Sequence, residues 1–134
     1  MKWADIPIPP SVNQLWVPIV RRSGGNRTYA DLVPSKKYAE WLKVAVLLLR
    51  VGLDRTKVYP VRIIVEVTGG DGWQQTKRDI GNVIKATEDA LVKAQRIEDD
   101  STKFVHESVG RFVPGDGKAS CRVAIELMGS DDAR

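Results

Sequence analysis

The chain has 134 residues, 43% of them hydrophobic and 28% charged, which suits one ordinary packed domain and excludes a disordered or collagen-like polypeptide. Its 21 Lys and Arg against 17 Asp and Glu leave a charge of +4, a modest basic excess compatible with nucleic acid and with anionic small ligands alike. No apolar run reaches the roughly 20 residues of a bilayer span, and the single cysteine removes any internal disulfide and any Cys-based zinc site.

The opening MKWADIPIPP carries Asp5 and three prolines where a secretion signal would be apolar, so a soluble cytoplasmic protein without a membrane partner is expected. Within it, Trp3–Ile8 has Ile6 and Ile8 in alternation and reads as a first strand stopped by Pro9-Pro10. Next, Arg21-Arg22-Ser23-Gly24-Gly25-Asn26-Arg27 is a basic, glycine-rich tip between Val17–Val20 and Thr28–Leu32. Those flanks pair as a hairpin or form one long loop, and the pattern does not choose between them.

Ser35 has the chemistry of a helix N-cap, and Tyr38, Leu42, Ala45, Val46 and Leu49 follow at the spacing of one apolar helix face, with Gly52 at the stop. Trp41 is expected to pack on or border that face. Val61, Ile63, Val65 and Val67 alternate with Arg62, Ile64, Glu66 and Thr68, a strand with one buried face that ends at Thr68-Gly69-Gly70-Asp71-Gly72. A second helix is expected from Asn82, read as its cap, to Ala94, with Val83, Ala86, Ala90, Leu91 and Ala94 turned inward. Lys103–Val105 reads as a short strand. Cys121, Val123, Ile125 and Leu127 alternate through a last strand, and residues 129–134 are expected to fray. The whole, residues 1–134, predicts a single α/β domain of α+β type, a small mixed sheet flanked by two helices.

Most chemistries fail on composition. His106 is the only histidine and falls in a predicted strand, which leaves neither a histidine metal cluster nor a Ser-His-Asp triad. Cys121 keeps register with Val123 and Ile125, the place of a buried structural thiol. Gly69–Gly72 lacks the Gly-Lys-Ser/Thr of a phosphate loop and reads as a turn. What remains is Lys77-Arg78-Asp79-Ile80-Gly81-Asn82-Val83-Ile84-Lys85, followed by Ile97-Glu98-Asp99-Asp100-Ser101. Carboxylates from separate segments suit a hard cation such as Mg²⁺. A helix from Asn82 to Ala94 is about 20 Å long, so Asp79 and Asp100 meet only if the chain turns back alongside it after residue 95. The plainer readings are a cap or solvated acid at Asp79, pairing of Lys85 with Glu88 or Asp89 at helical spacing, and a solvated turn at Glu98–Asp100.

Taken in order, Arg78-Asp79-Ile80-x-Asn82-x-x-Lys85, Asp89-Ala90-Leu91-x-Lys93-Ala94 and Asp99-Asp100, together with the opening Ile6-Pro7-Ile8-Pro9-Pro10-Ser11-x-Asn13, resemble the RusA family of Holliday junction resolvases. The resemblance implies a small homodimeric, magnesium-dependent endonuclease of the kind often encoded by phages, with a mixed sheet flanked by helices, acting on four-way DNA junctions. It makes Asp79 and Asp100 metal-binding carboxylates, Lys85 the essential lysine and Asp99 an accessory acid. Lys77 and Arg78 would lie beside the DNA backbone, and Arg21, Arg22 and Arg27 would contact other phosphates. An all-oxygen ligand set suits Mn²⁺ as well as Mg²⁺. One position departs from the pattern: the family's second aspartate, two residues after the first, is Gly81 here. That change removes a ligand and a negative charge, and it keeps open a junction-binding protein with weak or lost nuclease activity.

Overall fold

Val61, Ile63, Val65 and Val67 are all completely buried, and the strand they define lies at the centre of the protein. The computed structural model describes residues 1–10, 16–22, 24, 28–70, 80–115 and 117–128. Among these, the elements in chain order are β1 (Trp3–Ile6), β2 (Trp16–Arg22), β3 (Thr28–Pro34), α1 (Lys36–Gly52), β4 (Val61–Gly69), α2 (Ile80–Lys93), β5 (Val105–Pro114) and β6 (Ser120–Leu127). One sheet has the order β1-β6-β4-β5, with β4–β5 parallel and the other pairs antiparallel, and β2 and β3 form a separate antiparallel ribbon. The expected single α+β domain with a mixed sheet and two helices is what the chain forms.

Both helices pack on one face of the four-stranded sheet, α1 over β1 and α2 over β5 and β4. The alternation read from the sequence explains this: the inward residues of β4 meet Ala4 and Ile6 of β1, Cys121 and Val123 of β6, Tyr38, Trp41, Ala45 and Leu49 of α1, and Val83, Ala86, Ala90 and Leu91 of α2 in one apolar cluster. Ser35 caps α1, its hydroxyl accepting from the Tyr38 backbone N–H at 3.1 Å, and Trp41 donates its indole N–H to the Pro7 carbonyl at 2.7 Å. Burial pushes the Cys121 thiol up to about 12, with the charge of Asp5 adding to it, so the group stays a neutral structural thiol.

The other face of the sheet carries ion pairs. Arg62 bridges Glu107 at 2.7 Å and Glu126 at 3.5 Å, Arg122 pairs with Glu66 at 2.9 Å, and the Arg122 guanidinium lies 4.0 Å over the Trp3 ring. Between these long side chains, Ile64 and Ala124 are buried as well. Ile64 was expected on the open face of its strand, and it is only 2% exposed there.

Several boundaries differ from the sequence reading. The first strand ends at Ile6, not Ile8. The stretch around the basic tip is a hairpin. α2 begins at Ile80, so Asn82 lies inside its first turn and is not its cap. The expected short strand at Lys103–Val105 is instead the turn leading into β5, which runs ten residues from Val105 and whose register against β4 skips His106. That strand is an edge, with His106 and Glu107 exposed, and at Gly110 the side chains of Ile80 and Ile84 occupy the space of a Cβ, at 2.7 Å each. α2 therefore lies directly on the β5 backbone.

Candidate functional site

The end of α2 decides whether separated acids can meet. The Gln95 N–H donates to the Val92 carbonyl and the Arg96 N–H to the Leu91 carbonyl, both at 3.0 Å, with Gln95 in the left-handed region at φ 56°. These are the two bonds of a Schellman motif, built here on glutamine where glycine is usual. Arg96 then fastens the reversal: its guanidinium donates to the Ala94 carbonyl at 3.1 Å and to the Leu53 carbonyl at 2.9 Å, and its own carbonyl accepts from the Thr56 N–H at 2.8 Å. Ile97 is buried, and the Tyr59 hydroxyl accepts from the Glu98 N–H at 2.9 Å. The chain does turn back after residue 95, and Asp100 returns to the side of α2.

There the Lys85 ammonium lies 3.3 Å from the Asp100 carboxylate and 3.3 Å from that of Asp89, one helical turn further along α2. Asp89 is held from the other helix, because the buried Tyr38 donates its hydroxyl to Asp89 Oδ2 at 3.1 Å. Two carboxylates thus share one ammonium at the mouth of a groove of about 410 Å³ between α1 and α2. Lys93 and Asp99 also line it, and Pro34, Leu42 and Val92 form its apolar wall.

The charges in this groove act on one another. Partial burial works against the charge of Lys85, but Asp89 and Asp100 outweigh it and raise its pKa, so the ammonium is fixed as a cation. Burial, then the Asp89 charge and the hydrogen bond to it, hold the Tyr38 hydroxyl well above its ordinary value, so it serves as a donor. Glu88 is raised by burial and by the nearby Asp100 and Asp89, with Lys85 offsetting part of the effect. The cluster carries more carboxylates than its lysine neutralises.

Of the residues singled out from the sequence, Lys85 and Asp100 are brought together and Asp99 lines the same groove. Gly81 lies in the first turn of α2, four positions before Lys85 and so on its side of the helix. Arg21 and Arg22 end β2, paired with Tyr29 and Thr28 on the hairpin and outside the groove lining. Asp79, Lys77, Arg78 and Arg27 lie outside the described residues, as do Ser11 and Asn13. Sequence reasoning had Asp89 as a helical pairing partner for Lys85 and as part of the family motif, with no role in the site. Its link to Tyr38, 51 positions away, had no local signal.

Among the described residues no three carboxylate, histidine or cysteine side chains converge to hold a metal ion. Asp99 and Asp100 could offer a cation oxygen ligands only, the donor type that hard ions take. Among the described residues no helix is long and apolar enough to cross a membrane. No protein-family model matches this chain, and no curated protein matches it either.

Proposed function

We propose that the chain is a RusA-like, Mg²⁺-dependent endodeoxyribonuclease that resolves four-way DNA junctions by paired nicks, acting as a homodimer. The observation that carries this reading is the meeting of Lys85 and Asp100 across the reversal after α2, in a groove that Asp99 also lines. Asp100 with Asp79 would hold the cation, which when bound orients water and neutralises charge on a phosphodiester. Lys85, kept cationic by its two acids, offsets negative charge developing on the scissile phosphate. Tyr38 and Asp89 orient that ammonium from behind. Arg21 and Arg22 on the hairpin, with Arg27, Lys77 and Arg78, bind flanking phosphates and orient the DNA without reading bases. A two-fold symmetric substrate matches a pair of identical sites.

A second reading, a junction-binding protein with weak or lost cleavage, is favoured by one position: Gly81 brings no carboxylate to the side of α2 that carries Lys85.

The test is nicking of a synthetic four-way junction, with linear duplex as control, in Mg²⁺ and in chelator. Paired Mg²⁺-dependent cuts confined to the junction are expected. Tight junction binding without cuts selects the second reading, and equal treatment of junction and duplex overturns both.

A further inference from the structure

The ribbon of β2 and β3 sets apolar side chains where a sheet facing water normally carries polar ones. Its register places Pro18 opposite Leu32, Val20 opposite Ala30 and Arg22 opposite Thr28. Alternation along both strands therefore puts Pro18, Val20, Arg22, Thr28 and Leu32 on one face. All five are exposed, Val20 to 75% and Leu32 to 64%, whereas Ile19 and Val33 of the other face are half-buried. Val20 stands on the diagonal from Leu32, within side-chain reach, so with Pro18 they form one apolar ridge that ends at Arg22. The ridge begins beside the groove of Lys85 and Asp100. Pro34, the last residue of β3, lines that groove, and Leu32 and Val20 lie two and four strand positions farther out, about 7 and 14 Å along the ribbon.

Phosphate contacts hold a linear duplex as readily as a branched one, so Arg21 and Arg22 give the chain affinity for DNA but no preference for a junction. Something else must recognise the branch. A four-way junction differs from duplex at its branch point, where the continuous base stack is interrupted, and bases are parted at least cost where stacking is already broken. Apolar side chains such as leucine and proline, accompanied by arginine, are the groups with which proteins wedge base pairs apart. We propose, resting on the junction-cleaving reading, that Pro18, Val20 and Leu32 form a wedge that packs against base faces at the branch point and sets the preference for junction over duplex. Arg22 continues the same face and holds a phosphate beside the wedge, which a ligand of apolar faces joined by anionic links requires. The position of the ridge, next to the Lys85 groove, selects DNA over a protein or membrane surface as its occupant.

The test is binding in chelator, where cleavage does not intervene. Val20→Thr and Leu32→Thr keep strand propensity and set a hydroxyl against the base face. Each should lower junction affinity in a gel-shift assay by roughly tenfold and leave linear-duplex affinity, the far-UV circular dichroism spectrum and the melting temperature unchanged. Arg22→Ala should instead weaken junction and duplex alike. A 2-aminopurine placed beside the branch point should brighten when the wild-type chain binds, as its stacking is lost, and stay dim with the double threonine variant. A junction preference that survives the double variant, or a probe that stays dim with the wild-type chain, overturns the wedge and leaves the junction-cleaving reading standing. A wild-type chain that binds junction and duplex alike, or neither, overturns both. A changed sedimentation coefficient of the DNA-free chain on Val20→Thr assigns the ridge to a protein contact and overturns the wedge.

Discussion

Lys85 and Asp100 are 15 positions apart in the chain, yet the ammonium of one lies 3.3 Å from the carboxylate of the other. The contact joins the second turn of α2 to the segment that follows it, and it exists because the chain reverses at Gln95. If the proposed reading is right, Asp100→Asn should lower junction cleavage by roughly a hundredfold or more while leaving junction affinity in a gel-shift assay unchanged or slightly higher. Loss of binding in parallel with cleavage would remove Asp100 from the chemistry.

Gly81→Asp tests the departure from the family pattern. An acid in the first turn of α2 meets the positive end of the helix dipole and stands one turn before Lys85, so the variant should melt higher, by about 0.5–1 kcal/mol in stability. In Mg²⁺ it should also cleave junctions faster than the parent chain. A stability gain with no change in cleavage would show that the missing carboxylate does not limit the reaction.

Gln95 occupies a left-handed conformation that costs a side-chain-bearing residue roughly 1 kcal/mol relative to glycine. Gln95→Gly should recover about that much in urea unfolding, with cleavage unchanged because the two Schellman bonds are made by the backbone. A destabilised variant would mean that the glutamine side chain contributes something beyond the turn.

Gly110→Val addresses the other end of α2. The new side chain would collide with Ile80 and Ile84 and lift the first turns of the helix off β5, costing roughly 1–3 kcal/mol as overpacking does. Urea midpoints measure the cost. Cleavage should fall with it, because Lys85 rides on the same helix.

The raised pKa of Glu88 has a defined sign in stability. Between the ordinary carboxylate value and the raised one, the folded chain holds a proton that the unfolded chain has released, so stability falls as pH rises through that window. Glu88→Gln should flatten this slope and modestly stabilise the protein at neutral pH, because the partly exposed site is screened by solvent. Denaturation midpoints from about pH 4 to 7, taken in chelator, check both the slope and its loss.

The parts of the fold legible in the sequence were those whose signal is local and repeated. The α1 face behind Ser35, the alternation of β4 and the place of Cys121 all followed from periodicity, and each is where it was expected. β5 is longer and later than the short strand expected at Lys103–Val105, because an edge strand tolerates His106 and Glu107 facing water and because two isoleucines from α2 fill the place of the missing Gly110 side chain. Asn82 has the chemistry of a cap, but packing of Ile80 on β5 extends the helix past it. In the site, the Lys85–Asp89 pair was visible as helical spacing. The approach of Asp100 was not, since the reversal that produces it uses glutamine, which carries no turn signal, and the hold of Tyr38 on Asp89 depends on how two helices pack.

The segment that returns from α2 to β5 is tied at both ends, by the Arg96 bonds to Leu91 and Leu53 and by the Val61 N–H on the Phe104 carbonyl at 2.9 Å. Its length is therefore a ruler for Asp100. One added or deleted residue displaces the chain by up to about 3.5 Å, more than the whole distance from Asp100 to Lys85, while the helix and the parallel strand pair at its ends stay in place. Insertions and deletions in this stretch would leave the domain folded and the acid misplaced, so apart from Arg96, Ile97, Asp99 and Asp100 the segment can change its residues far more readily than its length.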